Sequence, residues 1–183
     1  WPGTASGRSA WDRSQGAVDW SAQERLEAEL AAFRAQGLKL DLLLNANCYG
    51  ARAVSTSLEN EIGSLLDHLD RRGLLPDIVT TTSPFVAERL RRLFPGIERR
   101  ASVNMRLDST LALSYLGDLF DSYHLRRDLQ RDLATVARFH AWCRERGRTL
   151  CLLANSGCLR HCPGQTFHDN LVAHDEDVAA QHN

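Results

Sequence analysis

Between Thr149 and His174 the chain gathers two cysteines, three histidines and a turn glycine directly behind the apolar run Leu150-Cys151-Leu152-Leu153-Ala154. Cys158 and Cys162 are four residues apart where a loop leaves a buried-looking strand. Two thiolates at that spacing reach one ion from a single turn, so the pair is a candidate for iron-sulfur or other metal ligation, with Cys48 a third candidate. The plain alternative is two small, inert, buried cysteines. Zinc is a further option, because Cys158, Cys162, His168 and His174 run C-x3-C-x5-H-x5-H. Its central gap is far shorter than the ~12 residues of a zinc finger.

The same stretch offers nucleophilic chemistry. A cysteine nucleophile needs a base, and His161 and His168 are the local candidates, with Asn155 or Asp169 to orient them. Asp128 and Asp169 are candidate acid/base carboxylates, although a helix N-cap is the more ordinary job for Asp128. Cys143 and Cys151, on a predicted helix and a predicted strand, read as packing residues.

These groups need a scaffold, and the composition allows one. The 183 residues are 43% hydrophobic and 25% charged, enough to bury the core of one globular domain. A net charge of -1 leaves no overall electrostatic footprint for nucleic acid or an anionic membrane. The arginine-rich stretch from Arg126 to Arg148 reads as a solvated helix face. No run approaches the ~20 uncharged apolar residues of a membrane span. Five cysteines, an odd number, and a start without signal-peptide order point to reduced thiols or metal-bound thiolates and a cytoplasmic location.

Residues 1–20 show no periodicity and read as an irregular segment ahead of a single domain over 21–183. Ser21 to Glu24 has capping-box spacing, and Leu26, Leu30 and Phe33 predict one apolar face of a helix stopped by Gly37. Leu40 to Ala46 predicts a buried strand opening into a polar loop. Thr56 with Glu59 predicts the start of a helix carrying Leu58, Ile62, Leu65, Leu66 and Leu69 up to Gly73. Asp77 to Thr82 is β-branched and strand-like, and Ser83-Pro84 supplies a cap and first-turn proline for a helix to Phe94.

Further strands are predicted around Arg99 to Val103, Phe120 to Leu125 and Thr149 to Ala154. Helices are predicted over about Ser109 to Leu116 and from Leu129 to Gly147, with a weak helical pattern over Phe167 to Ala180. Strands thus alternate with helices five times, which predicts an α/β fold with right-handed crossovers and an all-parallel sheet. No phosphate-binding glycine fingerprint follows any strand. Polar residues collect at the predicted strand ends, as they do on the active face of a TIM-type (β/α) barrel. Five βα units are fewer than eight, so the expectation is a partial barrel whose open edges favour self-association or completion by a partner chain.

The stretch Leu153 to Leu171 resembles the collagenase-like peptidase family, U32. So do Leu44-Asn45-Ala46-Asn47-Cys48-Tyr49-Gly50, Ala101-Ser102-Val103-Asn104-Met105-Arg106 and Tyr123-His124-Leu125-Arg126-Arg127-Asp128-Leu129, in that order. The likeness spans roughly residues 40 to 175. It implies a (β/α) barrel and a peptidase-type hydrolase. Through the family's iron-sulfur relatives it also implies an alternative, hydroxylation of RNA or a quinone precursor. A non-catalytic metal-binding module is a third reading. Expected catalytic residues are His168, Arg126, Asp128 and Asn155. Expected substrate contacts are Asn45, Asn104, Arg106, Gln165 and His161, and expected ligands of an iron-sulfur cluster, or of zinc, are Cys158, Cys162 and Cys48.

Overall fold

A computed structural model describes residues 20–155, 157–158 and 161–174, so the irregular segment expected over 1–20 lies outside the described residues up to residue 19. Five strands, β1 (Asp41–Leu44), β2 (Ile78–Thr81), β3 (Glu98–Ala101), β4 (Ser122–His124) and β5 (Thr149–Cys151), form one sheet. All neighbours pair in parallel, and the order is that of the chain, β1-β2-β3-β4-β5. Among the described residues six α-helices accompany them: α1 (Trp20–Ala35), α2 (Thr56–Arg71), α3 (Pro84–Leu93), α4 (Thr110–Leu116), α5 (Leu133–Glu145) and α6 (Gln165–Ala173).

The strand order decides the architecture. A doubly wound sheet reverses its order at a switch point and takes helices on both faces. Here the order never reverses, and right-handed crossovers then put the connecting helices on one side, as in a barrel wall. The strand period of two sorts the side chains accordingly. Leu44 and Val79 join Leu58, Ile62, Leu66, Val86 and Leu90 from α2 and α3 in one buried cluster. Ala101 and Tyr123 join Leu113, Phe139 and Cys143 from α4 and α5 in a second.

The opposite face of the sheet is polar where barrel interiors are ordinarily filled by branched aliphatic residues. Thr80 Oγ1 donates to Asp41 at 2.9 Å, while Arg100 reaches Asp41 at 3.2 Å, Glu98 at 2.8 Å and Ser122 at 3.1 Å. Ser122 in turn donates to Glu98 at 2.6 Å. Burial pushes the Asp41 carboxyl above its usual range, against the pull of Thr80 and Arg100. Burial also holds His124 below its ordinary value.

Several helix starts follow the sequence reading and some correct it. Ser83 Oγ accepts from Val86 N at 3.2 Å with Pro84 in the first turn, as the Ser-Pro pair predicts. Helix α2 begins at Thr56, but its cap is Ser55, whose Oγ accepts from Leu58 N at 3.1 Å. Asp132, not Asp128, caps α5, accepting from the backbone of Ala134 and Thr135. Gly73 and Gly147 take φ of 70° and 62° just past α2 and α5, a left-handed turn that favours glycine.

The apolar face expected on α1 is only partly used. Phe33 is 46% exposed, and the buried residue is Glu27. Its carboxylate is met by His68 Nε2 at 2.7 Å and by Arg72 Nε at 2.8 Å, both from the α2 end, so an ionic clasp supplements Leu30 packing beside Leu65 and Leu69. Partners of this kind are what allow a carboxylate to be buried at all.

Candidate functional site

The strands release their chains at one edge, and the loops there build the site. After β3, Ser102 caps a short 3-10 turn over Val103–Met105, accepting from Asn104 N at 3.2 Å. Arg106 follows with φ 55° and ψ 40°, a left-handed conformation uncommon for a non-glycine residue. After β4, Arg126 leads into a second 3-10 turn, Arg127–Leu129. After β5 the chain passes Asn155, Cys158, His161 and Cys162 before α6.

Helix α6 brings that last loop back over the strand ends. Arg106 donates to Thr166 Oγ1 at 2.7 Å and to Asp169 Oδ2 at 2.8 Å. At the far end of α6, Ala173 is buried in the cluster with Ala46 and Tyr49, and the His174 ring lies beside Gly50, where a Cβ would come within 3.6 Å of it. The helix therefore spans from the β3 loop to the β1 loop. Tyr49 helps fix the β1 loop by donating to Leu44 O at 2.6 Å, and burial pushes its hydroxyl up to about 12, which removes it from acid/base work near neutral pH.

A cavity of about 640 Å³ opens beside the β3, β4 and β5 ends. Of the residues singled out from sequence, Arg106, Arg126, Asp128, Cys158, His161, Cys162 and Gln165 line it. Asp128 is its central carboxylate: Oδ1 lies 2.8 Å from Arg126 Nε, and Oδ2 lies 3.7 Å from His161 Nδ1. Arg126 also reaches Asp108 at 3.3 Å. An aspartate between an arginine and an imidazole is the arrangement that orients a general base, and such contacts often tighten only when substrate binds.

The other expected residues stand apart from the cavity lining. His168 and Asn155 are exposed. Asn104 accepts from Arg127 Nη2 at 3.0 Å and donates to Asn45 O at 3.5 Å, so both asparagines brace the loops. Cys48 packs against the β1-β2 cluster, and its sulfur accepts from Gly50 N at 3.4 Å.

Three polar cavity residues escaped the sequence reading: Arg127, Gln130 and Arg131. The arginines lay in the stretch read as a solvated face, although their position just past a strand end was a usable signal. Gln130 had none. Its amide donates to Leu125 O at 2.7 Å and accepts from Leu153 N at 2.7 Å, standing like an extra peptide group between the diverging ends of β4 and β5.

A metal centre needs its donors gathered around one point. Among the described residues, no three or more His, Cys, Asp or Glu side chains converge as a metal site. Cys48 therefore does not join Cys158 and Cys162, and the Cys158, Cys162, His168 and His174 zinc set is not assembled either. Cys158 and Cys162 share the cavity, and among the described residues no group of three ligands forms around them.

Sheet and site together define the chain as a partial (β/α) barrel of the TIM type with its cavity at the carboxyl ends of the strands. No family model and no curated protein matches the sequence. Among solved structures, that of the U32 peptidase Mk0906 aligns with a TM-score of 0.70 at 20% identity, over 92% of this chain and 64% of that one. The chain thus spans about 64% of the length of the structure it matches. At that identity the likeness is one of fold, and it is the fold that the U32 resemblance implied. Among the described residues no helix is long and apolar enough to cross a membrane.

Proposed function

We propose that this chain carries the strand-end site of a collagenase-like, U32-type peptidase, and that Asp128 and His161 form its acid/base pair. The observation that carries this reading is the Asp128 carboxylate held between Arg126 at 2.8 Å and His161 at 3.7 Å on the cavity wall. The fold shared with a U32 peptidase structure supports it. Asp128 orients the imidazole, and the free ring nitrogen of His161 takes a proton from water as its oxygen bonds to the scissile carbonyl carbon. When the C–N bond breaks, the imidazolium returns that proton to the departing amine. Arg126 stands where its charge stabilises the developing oxyanion.

Cys158 and Cys162 line the same cavity and offer a thiol as an alternative nucleophile for His161. Hydrolysis of unstructured and collagen-like peptides by Asp128→Asn, His161→Gln, Cys158→Ala and Cys162→Ala variants separates these roles. The reading expects Asp128→Asn and His161→Gln each to lose at least about a hundredfold in kcat/KM. A thiol route adds an equal loss in one cysteine variant. No cleavage of any peptide by the unaltered protein, or full activity in Asp128→Asn, sinks it.

A further inference from the structure

The cavity holds more positive charge than its own carboxylates neutralise. Among the described residues Arg106, Arg126, Arg127 and Arg131 line it, against Asp128 alone. Two of the four are paired: Arg106 with Asp169, and Arg126 with Asp128 and Asp108. Among the described residues Arg127 donates to the neutral amide of Asn104, and its buried Nε has no hydrogen-bond partner. Arg131 is exposed and makes no ion pair among the described residues. Both unpaired guanidiniums flank Asp128 in the chain, directly after β4.

Uncompensated charge inside a concavity focuses its field there and concentrates anions. We infer that Arg127 and Arg131 form a carboxylate-binding subsite, so that the pocket selects peptides carrying a free C-terminal carboxylate or an acidic side chain close to the reacting bond. The inference rests on the peptidase reading for the fate of the ligand, but the binding itself does not require turnover. A guanidinium offers a planar fork of donors that matches a carboxylate, which fixes the ligand's orientation as well as its charge. A nucleic-acid backbone would need an extended basic stripe. With a net charge of -1 over the whole chain and these arginines gathered in one cavity, a single carboxylate is the better match.

Calorimetric titration with N-acetyl-trialanine as free acid, its C-terminal amide, and N-acetyl-Ala-Glu-Ala-amide tests this. The free acid or the glutamyl peptide is expected to bind about tenfold or more tightly than the neutral amide, with affinity falling as salt rises. The stronger of the two identifies whether the carboxylate is terminal or on a side chain. Arg127→Gln and Arg131→Gln are each expected to weaken that binding about tenfold, while Arg144→Gln on α5, outside the cavity, leaves it unchanged. Arg131 is exposed, so its variant reports even if Arg127→Gln folds poorly.

Equal binding of acid and amide, or acid binding by Arg131→Gln at the unaltered affinity, overturns the inference. So does a short oligoribonucleotide that binds more tightly than every peptide and is lost in the same two variants. Asp128→Asn separates the two readings, since removing its charge should preserve carboxylate binding while ending turnover. Turnover without acid preference refutes the subsite alone, and acid binding without turnover refutes the peptidase reading alone.

Discussion

The guanidinium of Arg106, on the loop after β3, donates at 2.8 Å to the carboxylate of Asp169 on α6, and this pair ties the helix across the strand ends. Arg106 adopts a left-handed backbone to do so, and the Asp169 side chain is only 9% exposed. Arg106 thereby positions α6 while it also lines the cavity.

Arg106→Ala leaves the Asp169 carboxylate nearly dry and without its cation, a cost of about 1–3 kcal/mol. Asp169→Asn, whose amide oxygen can still accept, should cost less. Amide hydrogen exchange across Gln165–Ala173 is expected to speed up about tenfold or more in Arg106→Ala, with little change in α2. Unaltered exchange in α6 would show that the helix is held by Ala173 packing alone.

Glu27 predicts an acid limit for the α1-α2 clasp. Hydrogen bonds from His68 and Gln23, together with Arg72, lower its carboxyl to about 2 from an ordinary 4.5. A carboxyl whose folded value is depressed stabilises the fold above its unfolded value, and that contribution fades as pH falls through the folded one. The clasp should therefore be fully present above about pH 4.5 and progressively lost toward pH 2. Urea midpoints measured from pH 7 to pH 2.5 should fall less steeply for Glu27→Gln, which is already destabilised at neutral pH. Parallel profiles for the two proteins would rule out the clasp as the titrating element.

The thiols should divide by burial. Burial pushes Cys143 up to about 11 and raises Cys151 as well, whereas Cys158 is exposed on the loop. At pH 8 the Cys143 thiolate fraction is on the order of one in a thousand, and the thiolate is the reacting form. Iodoacetamide labelling of the folded protein, mapped by mass spectrometry, should modify Cys158 well before Cys143 or Cys151. Comparable labelling of Cys143 before unfolding would contradict its place between α5 and the sheet.

How far the sequence foretold the structure follows from the range of each interaction. The Ser83-Pro84 start of α3, the β-branched strand at Ile78–Thr81 and the glycine stops depend on neighbouring residues, and all were legible. So was the strand-end location of Arg126, Asp128, His161 and both loop cysteines, because parallel βα units place every strand end on one face. Burial of Glu27 left no mark in the sequence because its ion-pair partners, His68 and Arg72, lie more than 40 residues away in the chain. Cys48 looked like a ligand because it shares that face, yet a shared face does not set a distance within the face. Arg127 and Arg131 looked like a solvated run, since charge pattern alone does not tell a cavity wall from open solvent and only their position past β4 carried the signal.

Gln130 carries the most specific prediction for the shape of the cavity. The β4-β5 ladder ends with Leu125 N donating to Cys151 O at 3.2 Å, and beyond it the Gln130 amide replaces the next peptide-to-peptide contact. That substitution holds Leu125 and Leu153 a side chain apart, and the gap belongs to the cavity lined by Leu152, Leu153 and Gln130. The amide must donate to one backbone and accept from the other, a pair of roles that a carboxylate cannot fill. Gln130→Glu can still accept from Leu153 N but sets its charge against Leu125 O, so it should be at least as damaging as Gln130→Ala. Each should lower stability by about 1–2 kcal/mol and expose the Leu153 amide to exchange, with Asn too short to rescue either bond. For peptide hydrolysis the expected effect is a raised KM with kcat less affected, since Gln130 shapes the binding wall and its amide supplies neither acid nor base. A Gln130→Glu variant with native Leu153 protection would show that β4 and β5 diverge without the amide between them.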